Sequence, residues 1–259
     1  MRAFVDWIAA WTLAPRGMVL RMATRAPDAA GPEPSRVGVT LAQAAPEGLR
    51  LPPARSRVLA AAADGLAKAK KALAQEAGCG VGVIDSLIDE GALTSVALPP
   101  APVAPPLDPD FAAPALEPAQ GEAGAALAEA VAARAFSTTL LEGVTGSGKT
   151  EVYFEAVAEA LRQGRQTLVM LPEIALTAQF LDRFAARFGA RPAEWHSGVS
   201  ARKRARIWAG CANGEVKVVA GARSALFLPF RDLGLVVVDE EHEAAYKQED
   251  GVAYHARDM

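Results

Sequence analysis

Gly143-Val144-Thr145-Gly146-Ser147-Gly148-Lys149-Thr150 narrows the possible folds more than any other stretch of this chain. The octet fits G-x-x-x-x-G-K-[ST] without a mismatch, a pattern whose chemistry works only between a strand and a helix. Thr138–Leu141 before it is a short β-prone run, and Glu151–Leu161 after it is helix-prone, so the spacing predicts strand, glycine loop, helix. Glycines let backbone N–H groups converge on phosphate oxygens without a Cβ in the way, and the helix presents its positive N-terminal end to the same anion. Gly143, Thr145, Gly146, Ser147, Gly148, Lys149 and Thr150 are therefore the candidate cradle for ATP. Lys149 is expected to reach the β- and γ-phosphates, and the hydroxyl of Thr150 to ligate Mg²⁺. The bland account is a glycine-rich turn that matches by coincidence.

A second segment weighs against coincidence. Leu235-Val236-Val237-Val238 is an apolar, strand-like run that ends in Asp239-Glu240-Glu241-His242. Asp239 is placed to hold Mg²⁺ from the side opposite Thr150, and Glu240 is the natural base for an attacking water. Alone, the acidic cluster would be weak, since such clusters are usually solvated surface.

The order of elements suggests an α/β sandwich. Apolar runs at Thr138–Leu141, Thr167–Leu171, Val216–Ala220 and Leu235–Val238 alternate with helical stretches at 149–162, 177–188 and 201–212, as a parallel sheet requires. Right-handed crossovers place the glycine loop and Asp239 at the same carboxyl edge.

Upstream, Pro99 to Pro114 reads as an extended, fairly stiff spacer, which sets a linker at 99–115. Before it, Ala54–Ala63, Ala69–Glu76 and Val81–Glu90 read as helices and Ala92–Leu98 as a strand, with Gly78-Cys79-Gly80 in the turn. This is the pattern of a winged helix-turn-helix over 51–98. Its candidate recognition helix carries Asp85, Asp89 and Glu90 but no Lys or Arg, so direct groove reading and protein docking both stay open. Residues 1–50 read as a helical bridging segment: Trp7 and Trp11, four apart on Ala3–Leu13, give a hydrophobic face that needs cover, and Asp28–Pro34 is loop. The cover is either a domain outside the chain or a hairpin packed on the winged helix.

Composition excludes classes rather than choosing one. A net charge of −3 with no strongly basic segment gives no general argument for nucleic acid. Arg202, Lys203, Arg204 and Arg206 form the densest basic cluster, on a helix-prone stretch where a solvated face is the simpler account. Cys79 and Cys211 lack C-x-x-C partners, against a disulfide scaffold or zinc site here. No stretch of eighteen apolar residues occurs, so the expected partners include no membrane, and the expected location is cytoplasmic.

Six segments taken in order carry a family resemblance: 143–153, Leu-Pro-Glu-Ile-Ala-Leu-Thr at 171–177, His-Ser-Gly at 196–198, Gly-Ala-Arg-Ser-Ala-Leu-Phe at 221–227, Asp-Glu-Glu-His at 239–242 and Tyr-His-Ala-Arg-Asp at 254–258. The series resembles the bacterial replication-restart helicases, strongly over 116–259 and more loosely over 1–98. The resemblance implies a RecA-like P-loop lobe 1 at 116–259 and a superfamily 2, 3′-to-5′ DNA helicase acting at stalled forks. Implied partners are single-stranded and forked DNA, primosome proteins and single-strand-binding protein, with nucleoid association. Nothing here resembles the family's N-terminal β-rich domain, and the chain stops at Met259. The expectation is thus an internal piece of a longer protein, with lobe 2, its arginine finger and a zinc-binding insertion lying beyond it. Such a piece would be nearly inert as an ATPase.

The resemblance also gives roles to single residues. Gln120 stands where superfamily helicases place an adenine-reading glutamine, although a helix-start glutamine on the surface would look the same. Pro172, Glu173, Arg223 and Ser224 resemble loops that contact the single-strand backbone, with Ala222 where the family often has Thr. His242 is expected to face the other lobe and relay nucleotide state. Tyr246, Lys247, Tyr254 and Arg257 resemble an aromatic-rich loop that couples DNA binding to hydrolysis, the rings stacking on bases and the cations meeting phosphates. Two tyrosines packing a loop onto the lobe is the structural alternative. Another superfamily 2 DNA translocase and a non-catalytic DNA-binding or docking fragment remain alternative functions.

Overall fold

The computed structural model describes residues 2–24, 36–43, 46, 48–98, 102–144 and 146–259. Thr145 of the glycine loop, the 28–34 loop and the first residues of the proline-rich stretch, 99–101, lie outside the described residues. The chain divides into two compact units, one formed by Met1–Ala30 with Val103–Met259 and the other by Gly31–Pro102. Helices α1 (Arg2–Thr12) and α2 (Arg16–Ala23) open the first unit.

The second unit contains β1 (Arg36–Leu41), α3 (Pro53–Ala61), β2 (Lys68–Ala69), α4 (Lys70–Glu76), α5 (Val81–Asp89) and β3 (Leu93–Leu98). Its strands form an antiparallel sheet in the order β2-β1-β3. Val39, Val58, Leu73, Ile84, Leu87 and Leu93 are fully or almost fully buried between sheet and helices. Three helices and a closing strand fall close to the segments expected for them, whereas β1 lies in the stretch expected to be a helical bridge. Its alternation of Val37, Val39 and Leu41 is a strand signal, and only Val39 becomes fully buried. Asp85 of α5 is engaged by Lys70 at 2.6 Å, and Glu90 by Arg55.

The first unit continues with α6 (Pro118–Ala132), α7 (Lys149–Arg162), β4 (Gln166–Met170), α8 (Ala178–Phe188), β5 (Ala193–Trp195), α9 (Ala201–Asn213), β6 (Val218–Gly221) and β7 (Leu233–Val238). A 3₁₀ turn at Arg223–Phe227 follows β6, and a small hairpin of β8 (Lys247–Gln248) and β9 (Tyr254–His255) follows β7. The main sheet is parallel in the order β5-β6-β4-β7, the architecture of a RecA-like helicase lobe. The strands of such a sheet are buried on both faces, and β4, buried along its whole length, sits at the centre. On one face Phe154, Phe180, Phe184 and Phe188 pack as an aromatic cluster, with Phe184 and Phe188 centroids 4.5 Å apart. The other face joins Leu168, Met170, Trp195, Ile207 and Phe227 to Val5, Ile8 and Val19 of α1 and α2.

Three expectations change. Thr138–Leu141 forms no strand: Leu140 is 69 % exposed, and β7 pairs with β4 alone. β-propensity has little force unless cross-strand partners bury the side chains, and this run has none. The helical pair at the amino end packs on the parallel-sheet lobe itself, because Val5, Ile8 and Val19 find an apolar face there. Finally, the stretch after Val103 is docked rather than free. Asp108 N donates to Phe188 O at 3.1 Å, Arg187 donates to Pro109 O, and Asp110 pairs with Arg162. A proline-rich composition stiffens this stretch but does not stop it from lying along a surface that offers partners.

Phe154 makes edge contacts with Tyr153, Phe180, Phe184 and Phe188. Phe154→Ala should destabilise the lobe by about 3–5 kcal/mol, read as a lower urea midpoint with an unchanged slope.

Candidate nucleotide-binding site

The glycine loop is shaped by backbone conformations that side chains resist. Gly146 and Gly148 have φ of +80° and +79°, and a Cβ on Gly143 would stand 2.6 Å from Ser147 Oγ. Gly148 caps α7, so the amide end of that helix opens into the loop. Lys149 Nζ donates to the carbonyls of Gly143 at 2.8 Å and Val144 at 3.3 Å, which holds the loop closed on its own lysine. Gln120 braces the outside: its Nε2 donates to Ser147 O at 2.9 Å, while its Oε1 accepts from Glu117 N in the capping box of α6. In this arrangement Gln120 shapes the loop backbone.

The parallel sheet brings the second half of the site to the same edge. A cleft of 320 Å³ is lined by Gly146, Ser147, Gly148, Lys149, Thr150, Glu151, Arg183, Asp239 and Glu240. Thr150 and Asp239 offer a hydroxyl and a carboxylate, the hard oxygen donors that suit Mg²⁺. Asp239 is held at three atoms: Oδ2 accepts from Tyr153 OH at 3.0 Å, Oδ1 from Glu240 N at 3.0 Å, and its carbonyl from Tyr246 OH at 2.6 Å. Glu240 has φ of +48°, a left-handed conformation that costs a non-glycine residue on the order of 1 kcal/mol and persists only where neighbours enforce it. Burial, reinforced by the nearby Asp239 charge, pushes the Tyr153 and Tyr246 phenols well above their usual range, so both remain proton donors. His242 is exposed, with Nε2 3.7 Å from Glu240.

The residues assigned to DNA are placed unevenly. Glu173 and Ser224 are exposed and Pro172 is buried, its carbonyl accepting from Ala175 and Leu176. Arg223 donates to the carbonyls of Ala245 and Lys247, tying the turn after β6 to the loop after β7. Lys247 pairs with Glu249 at 2.7 Å, and Arg257 with Glu241 at 2.5 Å. Tyr246 is 1 % and Tyr254 8 % exposed, so neither ring is available to stack on a base. The reason is packing: Tyr254 meets Phe227 edge-on at 5.4 Å, and Tyr246 spends its hydroxyl on Asp239 O and Met170 O. In this structure both tyrosines fasten the loop to the lobe.

Residues 118–259, more than half of the chain, match the DEAD/DEAH box helicase family. The chain belongs to that family. Use of ATP with Mg²⁺ follows from membership in the DEAD/DEAH box helicases. Among relatives, the Replication restart protein PriA of Rickettsia felis is 57 % identical over 120 residues, covering 46 % of this chain and 18 % of the relative. The protein of the same name in Bacillus subtilis is 48 % identical over 120 residues, 46 % of this chain and 15 % of the relative. That of Synechocystis sp. is 44 % identical over 146 residues, 56 % of this chain and 17 % of the relative. The chain thus matches less than a fifth of the length of each. Among its described residues, no helix of this DEAD/DEAH box protein is long and apolar enough to cross a membrane.

Two residues that line the cleft, Glu151 and Arg183, and one that braces it, Tyr153, were missed from sequence. Tyr153 lies four positions after Lys149 on α7, a spacing that puts both on one helix face and could have flagged it. Glu151 pairs with Arg183 of α8 at 3.0 Å, a long-range contact with no local signal. Since Tyr254 is part of the core, Tyr254→Ala should cost about 3–5 kcal/mol and lower the thermal midpoint. A variant with unchanged midpoint and selectively weakened DNA binding would contradict this placement.

Proposed function

We propose that this chain supplies the ATP-binding lobe of a 3′-to-5′ DNA helicase that acts in replication restart at stalled forks. The observation that carries the reading is the meeting of Lys149 and Thr150 with Asp239 and Glu240 in one cleft at the carboxyl edge of a parallel sheet. Relatives named Replication restart protein PriA support the process. Single-stranded and forked DNA, primosome proteins and single-strand-binding protein are the proposed partners, and the cytoplasm, at the nucleoid, the proposed location. The domain plan is a winged helix upstream of lobe 1. The element order of Gly31–Pro102 supports that plan, and the acidic Asp85 and Glu90, both already paired, favour docking over groove reading.

In the mechanism, the amides of Gly146, Gly148 and Lys149 cradle phosphate oxygens, and the Lys149 ammonium leaves the Gly143 and Val144 carbonyls for the same anion. Thr150 and Asp239 would hold Mg²⁺, which supplies charge neutralisation at the β- and γ-phosphates. Glu240, turned into the cleft by its left-handed backbone, accepts the proton of the attacking water. Exchange of Arg223 from the Ala245 and Lys247 carbonyls to a DNA phosphate would free the loop carrying Tyr246, and with it the backbone of Asp239. Glu173, Ser224, Lys247 and Arg257 are the other proposed strand contacts, and His242 the proposed link to the second lobe.

Two substitutions test the site. Lys149→Ala should weaken ATP affinity measured by calorimetry by about tenfold or more, through loss of a charge-assisted contact of about 1.5–3 kcal/mol. In the complete protein, Glu240→Gln should retain ATP binding and lose turnover by at least about 10²-fold. Normal hydrolysis by Glu240→Gln would remove Glu240 from the base role.

A further inference from the structure

We propose that Tyr153 is a positioning residue for the metal, its phenol fixing the carboxylate of Asp239, which with Thr150 would ligate Mg²⁺. This rests on the nucleotide reading above. Tyr153 OH donates to Asp239 Oδ2 at 3.0 Å, and its helix, α7, also carries Thr150 one turn earlier. The ring is 6 % exposed and packs edge-on against Phe154 at 5.3 Å, a role that phenylalanine would fill equally well. The hydroxyl is therefore the feature that needs a function, since burying it without a partner would be costly.

Asp239 shows what that function is. A carboxylate oxygen can accept about two hydrogen bonds, so with Oδ1 on Glu240 N and Oδ2 on Tyr153 each oxygen keeps a free lone pair in a fixed direction. Rotation of the carboxylate would break one bond or the other. Two effects of the phenol oppose each other: it draws electron density from Oδ2, which weakens a metal bond, and it fixes the group's orientation, which strengthens it. Outer partners of metal ligands usually act through orientation and basicity together, and loss of such a partner weakens the metal. Orientation dominates here, because Thr150 lies on α7 and Asp239 at the end of β7, and the phenol ties the Asp239 carboxylate to the helix that carries Thr150.

The test uses the full chain with ATP and Mg²⁺ as probes. ATP affinity is measured by calorimetry with excess Mg²⁺ and with EDTA, for the wild type, Tyr153→Phe and Asp239→Asn, and Mn²⁺ uptake is followed by loss of the free-ion resonance signal. The ratio of the two ATP affinities comes from one preparation, so a loss of folded fraction rescales both measurements and leaves the ratio intact. Tyr153→Phe should reduce that ratio about threefold to tenfold, the loss of one buried hydrogen bond, and weaken Mn²⁺ uptake in the ATP complex similarly. Asp239→Asn should abolish the ratio. An unchanged ratio and Mn²⁺ affinity in Tyr153→Phe, with Asp239→Asn affected, overturns the positioning role even if the thermal midpoint falls. A wild-type affinity indifferent to Mg²⁺ overturns the metal reading of the cleft as well.

Discussion

Asp239 sits where β7 ends, and the three hydrogen bonds it accepts organise everything around the cleft. They come from α7 through Tyr153, from the next peptide through Glu240 N, and from the loop before β8 through Tyr246. Each donor belongs to a different part of the lobe, so the carboxylate is fixed only when helix, strand and loop are all in place. The left-handed backbone of Glu240 follows from the same constraint: the chain must turn sharply to give its N–H back to the preceding side chain. A flexible acidic loop could present the same residues but not one geometry.

That arrangement also bears on the proposed coupling between the distal loop and the cleft. Stacking on bases would have required exposed rings, yet Tyr246 and Tyr254 are core residues. What the loop does have is a mechanical connection, with Arg223 holding its carbonyls on one side and Tyr246 gripping the Asp239 backbone on the other. Under the proposed function, coupling between a strand contact at Arg223 and Asp239 would run along this hydrogen-bonded connection.

Much of this was legible before any coordinates. The octet at 143–150 and the valine run before Asp239 carry their chemistry in local order, and the helices at 149–162, 177–188 and 201–212 have strong periodic faces. What escaped was long-range or permissive. Arg183 reaches the cleft from α8 by tertiary packing alone, and the β1 alternation was short enough to be absorbed into a neighbouring segment. Thr138–Leu141 failed in the opposite direction, having the composition of a strand without the pairing that makes one. Gln120 was legible as a residue and not as a contact, since its capping-box bond fixes the amide on the loop backbone.

The unpaired side of β7 has a consequence for how the protein behaves in concentrated solution. Leu233 and Val236 are 37 % and 41 % exposed along a strand whose outer row of peptide groups has no ladder partner among the described residues, and the apolar residues Phe136, Leu140 and Val144 are solvated upstream of α7. An open apolar edge is a template for any extended chain, and natural sheets normally blunt it with charge, proline or a covering element. Here Arg165 folds over only the start of the strand, donating to Leu233 O at 2.8 Å. The rim of the described sheet, rather than the aromatic core beneath it, is thus the part that offers an extended chain somewhere to pair.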